Sequence, residues 1–299
     1  MAWVSRAPAD SVEWRFSMQP NMPQAKTVLV TGAAKRLGKA IALDLAAHGW
    51  RVALHYHHSK DEALATQAEI ARLGPVASFQ ADLSQAQACQ QLFEQVQDHF
   101  GGVDALVNSA SQFEHDDAHS LTPALAQAHF AVNCVAPITL AQCLYVHVHA
   151  RNEAARQAGL DRAVPPVPDG IATSGHANLL QAAVVNLLDQ KLWNLNPDFL
   201  SYTLSKAALQ AATTMMAQSF APLLRVCGVA PGLTMPSYLQ DSEAFAKAHQ
   251  VSPLGRSSRP EDVARTVRFV LENESMTGSQ ILVDGGQHLM HLPRDISFL

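Results

Sequence analysis

Tyr202 and Lys206 stand four residues apart in the stretch DFLSYTLSKAAL, which reads as a helix. A spacing of i, i+4 puts the phenol and the ammonium on one helix face, about one turn apart. A neighbouring positive charge favours phenolate over phenol. The spacing therefore predicts a Tyr202 whose pKa is lowered toward physiological pH, where it can act as a general acid or base in redox chemistry. The same pattern also arises on amphipathic helices with no catalytic role, so the pair gains meaning only from the elements around it.

Those elements begin with a buried strand over 183–188 and a loop closed by Asn196-Pro197, directly ahead of the helix. Near the start of the chain, TVLVT at 27–31 is followed by GAAKRLG and a helical pattern over 39–48. Strand, turn and helix in that order form the first half of a dinucleotide-binding unit, in which N–H groups at a helix N-terminus receive a pyrophosphate. Gly32 and Gly38 stand, with Leu37 between them, but Arg36 occupies the place of the glycine expected two before Gly38. An ordinary tight turn before a helix would leave a similar trace.

The next strand, 51–56, ends in HYHHSK. An NAD-selective site places an Asp or Glu there for the ribose hydroxyls, and none occurs before Asp61. Arg36, His57, His58, Ser59 and Lys60 instead offer donors and positive charge, which suits the 2′-phosphate of NADP. The cluster His55-x-His57-His58 also suggests a metal, but no nearby carboxylate or cysteine completes a ligand set.

Helical periodicity over 61–73 and 85–100 brackets a strand at 76–79. Asp82 and Leu83 follow at the edge where an adenine would lie, although Asp82 equally suits a cap for the next helix. A strand at 104–108 ends in NSASQF, where the small residues Ser109, Ala110 and Ser111 after Asn108 let the chain pass close to a cofactor. Within the helical stretch 123–151, Asn133-Cys134-Val135-Ala136-Pro137 is locally unfavourable and marks either a kink or a boundary between two helices. A strand at 224–230 ends in Pro231-Gly232, and Pro260–Glu272 reads as a helix before the strand Gln280–Val283 and Asp284-Gly285-Gly286.

The chain reads as a poorly ordered extension, 1–25, and one domain, 26–299. Within that domain lie a Pro- and Gly-rich surface insertion at 161–178 and a candidate substrate lid at 235–255. With 299 residues, 48% hydrophobic and 16% charged, it has the composition of a well-filled globular fold. A net charge of -5 and no run of Lys or Arg beyond two give no electrostatic footprint for nucleic acid or an anionic membrane. Cys89, Cys134, Cys143 and Cys227 lack C-x-x-C spacing and read as small buried hydrophobes in a reducing compartment. No apolar run is expected to span a bilayer and the first 25 residues lack a secretory h-region, so the expected location is cytoplasmic.

TGAAKRLG, NSAS, Asn133, Tyr202-x-x-x-Lys206, PG and DGG, in this order, resemble the short-chain dehydrogenase/reductase family over residues 26–290. Arg36, HYHHS and Asp189 resemble its pteridine reductase branch most. The resemblance implies a doubly wound, Rossmann-like α/β fold, a parallel sheet of about seven strands with helices on both faces. It implies an NADPH site built from Gly32, Arg36, Leu37, Gly38, His57, His58, Ser59, Asp82, Leu83, Asn108, Ser109, Ala110, Pro231 and Gly232, with Tyr202 and Lys206.

Most family members carry Ser where this chain has Asp189, 13 residues before the tyrosine. A carboxyl group can donate a proton or accept hydrogen bonds from a heterocycle, which suits a nitrogen-rich substrate with a C=N bond. The implied reaction is hydride transfer to a pterin or dihydropterin, with Tyr202 and Asp189 supplying the proton. Lys206 would hold the nicotinamide ribose, and Asn133 would position a water that relays protons. Phe113 would stack on the pterin, unless it is a core aromatic, while Ser111 and Arg36 would bond its polar edge or the cofactor phosphates.

A homotetramer is implied, with the apolar tail 291–299 docking against a neighbouring subunit near its active site. Two alternatives stay open: an NADPH-dependent carbonyl or imine reductase for another small substrate, and an NADP-binding redox sensor without turnover. The intact Tyr202, Lys206 and Asn133 weigh against the sensor, which needs the pocket but not the proton-transfer set.

Overall fold

The apolar runs become the centre of a parallel sheet. β1 (Thr27–Val30), β4 (Ala105–Asn108), β5 (Ala182–Leu187) and β6 (Leu224–Pro231) are buried at every residue. Strands without a polar face fit only where helices cover both sides of the sheet. The computed structural model describes residues 25–158, 181–236 and 241–298; the extension 1–24, the insertion 161–178 and residues 237–240 of the lid fall outside them. With β2 (Arg51–Tyr56), β3 (Val76–Gln80) and β7 (Gln280–Val283), the strand order is β3-β2-β1-β4-β5-β6-β7. Every neighbouring pair is parallel. The order turns back on itself between β1 and β4, and such a switch point opens a crevice beyond the carboxyl ends of the strands.

Successive side chains of a strand point to opposite faces, which divides the core in two. Val28 and Val30 join Ile41 and Leu45 of α1 (Arg36–Ala47) and Val263 and Val267 of α8 (Pro260–Glu272). Leu29 faces the other way, toward Leu92 and Val96 of α3 (Ala86–Phe100), Leu140 and Leu144 of α5 (Ala136–Gln157) and Met216 of α6 (Leu200–Ser219). α2 (Lys60–Ile70) links β2 to β3. These bounds differ from those read in the sequence by a few residues at helix ends, where chain termini of helices fray.

Three features bear on the sequence expectations. The unfavourable Asn133-to-Pro137 stretch, expected as a kink or a boundary between two helices, is a boundary built from a π-helical turn. α4 (Pro123–Phe130), capped by Thr122, continues through a π-helical turn, Ala131–Val135, into α5, with Pro137 in the first turn of α5. A widened turn of this kind frees backbone groups and re-aims side chains, and it commonly sits beside functional sites. The continuous helix Pro123–Gln157 is also long and apolar enough to cross a membrane, against the sequence expectation. Here its apolar residues Leu140, Ala141, Leu144 and Val148 are fully buried in the core, so it serves as a core helix. Finally, the expected lid contains a helix, α7 (Ser242–Gln250), whose first N–H groups are capped by Asp241.

Candidate active site

The crevice holds a cleft of about 940 Å³. At one end, Gly32 follows β1 in a left-handed conformation (φ 64°), and a Cβ there would lie 2.8 Å from the Cα of Ala110. A Cβ on Gly38 would collide with the Gly32 carbonyl oxygen. Both positions therefore need glycine. Arg36 also adopts a positive φ, 55°, without being glycine, and its Nη2 donates to the Pro236 carbonyl at 2.8 Å. α1 has no side-chain cap and no acid in its first turn. Its first N–H groups and positive dipole end are thus left for an anion.

Two residues hold this turn that the sequence reading missed. His55, buried on β2, accepts the Gly32 N–H at Nδ1 (3.1 Å), so its Nε2 carries the proton and donates to the Ala81 carbonyl (3.1 Å). Burial holds its pKa down at about 4, and it is neutral at physiological pH. Within the His cluster, His55 is thereby structural support, whereas His57 and His58 line the cleft. Among the described residues, no group of three or more His, Cys, Asp or Glu is placed to hold a metal. Thr31 accepts from the N–H of both Ser109 and Ala110 at 3.0 Å, which fixes the small-residue turn against β1. The signal available for both was position alone, at the carboxyl ends of β1 and β2.

Leu37, His57, His58, Ser59, Asp82, Leu83, Ser109, Ala110, Ser111, Phe113, Pro231 and Gly232 line the cleft with Gly32, Arg36 and Gly38. Asp82 does not cap α3: its Oδ1 accepts the Ser84 N–H, and Gln85 stands at the helix start. That bond holds the Asp82 carboxyl below its usual pKa. Asn108 departs from expectation, since its amide turns into the sheet and donates to Asn186 at 2.8 Å, and it does not line the cleft. Gly232 is close-packed against Asp284 and Ser257, which ties the PG element to the DGG turn.

At the other end, Tyr202, Lys206 and Asp189 meet. The Tyr202 hydroxyl donates to Asp189 Oδ2 at 2.7 Å, while Asp189 Oδ1 accepts the Lys191 N–H at 2.9 Å. Lys206 Nζ donates to the Leu187 carbonyl at 2.8 Å, and burial lowers its pKa to about 8. The expected lowering of the Tyr202 pKa is overturned. Burial, and after it the Asp189 carboxylate, push the phenol well above its ordinary value. Desolvation likewise raises the Asp189 carboxyl. Both shifts run in the direction of the protonated form.

Asn133 lies behind this pair and does not line the cleft. Its Oδ1 accepts the Gln112 N–H at 2.8 Å, and its Nδ2 donates to the Gln112 carbonyl (2.9 Å) and to Ser205 Oγ (3.0 Å). The π-helical turn is what aims it between α6 and the loop after β4. Phe113 stacks on Phe199, ring centroids 4.4 Å apart, and sets its edge to Tyr202 at 4.7 Å. It is both a cleft-lining ring and part of an aromatic cluster.

The tail docks on its own chain. Arg294 Nε donates to both carboxylate oxygens of Asp198 (3.0 and 2.8 Å), and the Asp295 N–H donates to the same group (2.7 Å). Lys191 Nζ pairs with the Asp295 carboxylate at 2.8 Å. Ile296 is buried, and Phe298 stacks on Phe199. Arg294 and Asp198 are 96 residues apart in sequence, so this docking had no local signal.

A cleft at the switch point, with a glycine cradle at one end and a tyrosine-lysine-carboxyl set at the other, defines a nucleotide-binding oxidoreductase. The chain belongs to the short-chain dehydrogenase/reductase family, in its pteridine reductase-like branch. A family model described as short chain dehydrogenase matches residues 26–155, and one described as Enoyl-(Acyl carrier protein) reductase matches 178–288. Pteridine reductase 1 of Leishmania tarentolae is 30% identical over 305 residues, covering 89% of this chain and 98% of that protein. The crystal structure of FolM alternative dihydrofolate reductase 1 from Brucella canis, complexed with NADP, is 39% identical. It covers 91% of this chain and 97% of its own, with a TM-score of 0.75. The structure of angucycline C-6 ketoreductase LanV with bound NADP is 27% identical with a TM-score of 0.72, covering 89% of this chain and 96% of that one.

Proposed function

We propose that this enzyme uses NADPH to reduce the C=N bond of a pterin or dihydropterin. The observation that carries the reading is the hydrogen bond from Tyr202 to Asp189, a carboxyl where a hydroxyl would serve a simple ketone. The similarity to a pteridine reductase and to an alternative dihydrofolate reductase supports it.

The cofactor fits the residues present. The Gly32 and Gly38 cradle and the uncapped start of α1 would take the pyrophosphate. Arg36, His57, His58 and Ser59, with no acid at the end of β2, would take the 2′-phosphate. Lys206 would hold the nicotinamide ribose. NADPH, when bound, supplies a hydride to the substrate carbon.

Tyr202 gives its proton to the substrate nitrogen, and Asp189, whose proton affinity burial raises, relays a proton to Tyr202 across their 2.7 Å contact. Asn133, through Gln112 and Ser205, holds the wall of the cleft against α6. Phe113, edge-on to Tyr202, and Ser111 line the place where a flat heterocycle would lie.

A second reading is reduction of another small ketone or imine, favoured by the similarity to the angucycline ketoreductase. The test is loss of reduced-nicotinamide absorbance with dihydrobiopterin, dihydromonapterin and dihydrofolate beside a panel of simple ketones. Turnover of a dihydropterin that disappears in Tyr202→Phe is expected. Turnover of ketones alone sinks the pterin reading, and tight NADPH binding with no turnover would instead support a redox sensor.

We also infer a homotetramer. Val146 of α5 and Leu204 and Met215 of α6 are exposed apolar side chains that burial against further copies would cover. Sedimentation at micromolar concentration checks this, and a monomer overturns it.

A further inference from the structure

The tail does more than cover the cleft. Asp295, Ile296 and Ser297 share its lining with Asp189, Lys191 and Tyr202. The Lys191 side chain is only 3% exposed and that of Asp295 13%, so an ion pair has been placed inside the site. Lys191 Nζ also donates to Asn196 Oδ1, and Asp295 Oδ1 accepts the Ser297 N–H at 3.0 Å. Two apolar side chains would fasten the tail at least as well, because desolvating a charge pair offsets most of what its attraction contributes. Fastening is in any case secured by Arg294 on Asp198 and by Phe298 on Phe199. The buried pair must therefore be read for what it does to the cleft.

We propose that the segment 294–298 is the substrate-selecting wall of this enzyme and that Asp295 is its specificity-determining residue. With Lys191 neutralised by Asp295, the reacting end presents the oxygens of Asp189 and Asp295. A carboxylate has about four lone-pair sites, and the Lys191 and Ser297 bonds leave Asp295 with acceptor capacity to spare. Such a wall suits an uncharged heterocycle with a donor-rich edge, and it offers no free cation to a substrate with a carboxylate beside the reacting bond. The proposal rests on the reading of Tyr202 and Asp189 as the reacting end.

The charges facing Asp189 fix the sign of the test. They are Lys191 and Asp295, the Tyr202 phenol, and Lys206. Asp295 pushes the Asp189 carboxyl up, and Lys191 pulls it down. In Asp295→Asn, Lys191 loses its partner and the site gains one positive charge. The alkaline limb of kcat/KM, where Asp189 loses its proton, should then move to lower pH.

Selectivity is read as the kcat/KM ratio of dihydrobiopterin to 6-carboxy-7,8-dihydropterin, in wild type, Asp295→Asn and Asp295→Glu. The expected result is a shift of about tenfold or more toward the carboxylated substrate in the Asn variant, where the freed Lys191 ammonium attracts the substrate carboxylate. The Glu variant should recover the wild-type ratio, and NADPH affinity should stay constant throughout. Equal losses on both substrates with an unmoved pH profile overturn the proposal, since a merely structural tail would do that. If Asp295→Asn fails to fold, Lys191→Met is measured instead. It should move the ratio toward the uncharged substrate, and an unmoved ratio overturns the proposal. A wild type inactive on all pterins overturns the pterin reading only. The ratio is then taken between acetophenone and phenylglyoxylate, where the same shift in Asp295→Asn is expected and its absence counts against the tail.

Discussion

Tyr202 shows burial outweighing a neighbouring charge. The i, i+4 spacing does put Lys206 within 5.8 Å of the Tyr202 ring centroid. Yet the ammonium donates to the Leu187 carbonyl, the phenol faces a carboxylate, and burial favours its neutral form. The spacing was legible in the sequence; the direction of the shift was not, because it depends on desolvation and on a residue 13 positions away. Asp189→Ser is expected to lower dihydropterin turnover by about 10²–10⁴-fold, the usual range for losing a general acid or base, while NADPH affinity stays constant. Steady-state kinetics with a fluorescence titration of NADPH checks both halves. Unchanged turnover would remove the main reason for preferring pterins to ketones.

Lys206 carries a stability prediction of its own. Its pKa of about 8 in the fold lies below the ordinary 10.5, so protonating it costs more in the folded state than in the unfolded one. Stability relative to Lys206→Met is therefore fullest above pH 10.5 and declines as pH falls to 8, by about 3 kcal/mol. Denaturant midpoints of the two proteins across that window measure it, and parallel curves would refute the buried cation. His55 has the same sign at lower pH. With a folded value of about 4 against 6.5, its contribution is lost as pH falls from 6.5 toward 4, when a protonated Nδ1 would confront the Gly32 N–H. Relative to His55→Asn, the wild type should lose stability over that interval.

At the scale of elements, the glycine-poor turn keeps its shape without its glycine. Arg36 holds φ 55° where the fingerprint would use glycine. A left-handed L-residue costs about 1–2 kcal/mol. Glycine would relieve that strain but lose about 0.5–1 kcal/mol through the freedom of its unfolded chain. Arg36→Gly should thus change stability by no more than about 1.5 kcal/mol, which calorimetry can resolve. The guanidinium is what the variant gives up, and its preference for NADPH over NADH should fall.

The sheet was legible because parallel strands buried on both faces read as continuous apolar runs such as TVLV and AAVVNL. The π-helical turn at Ala131–Val135 left only a conflict in the sequence, an Asn ahead of a Pro within a helical pattern. The tail could be read as apolar, but Ile296 and Phe298 would suit an apolar surface on either the same or another copy. Only the Asp198 and Lys191 partners assign it to its own chain.

Across the whole molecule, the cleft joins distant parts of the chain. Gly32 and Arg36 follow β1, Asp189 and Lys191 follow β5, and Asp295 comes from the tail, all around one crevice at the switch point. A ligand seated along it would bind only the assembled fold and so stabilise it as a unit. At one hundred times its Kd, NADPH should add about 2.7 kcal/mol. For a chain of this size that corresponds to a rise in Tm of about 4 °C. NADH at the same concentration lacks the 2′-phosphate that Arg36, His57, His58 and Ser59 would hold, so its shift should be smaller. In Arg36→Gly the NADPH shift should drop toward the NADH shift, with the Tm of the free protein little changed. Equal shifts for the two cofactors in the wild type would refute the 2′-phosphate assignment while leaving the nucleotide cleft itself in place.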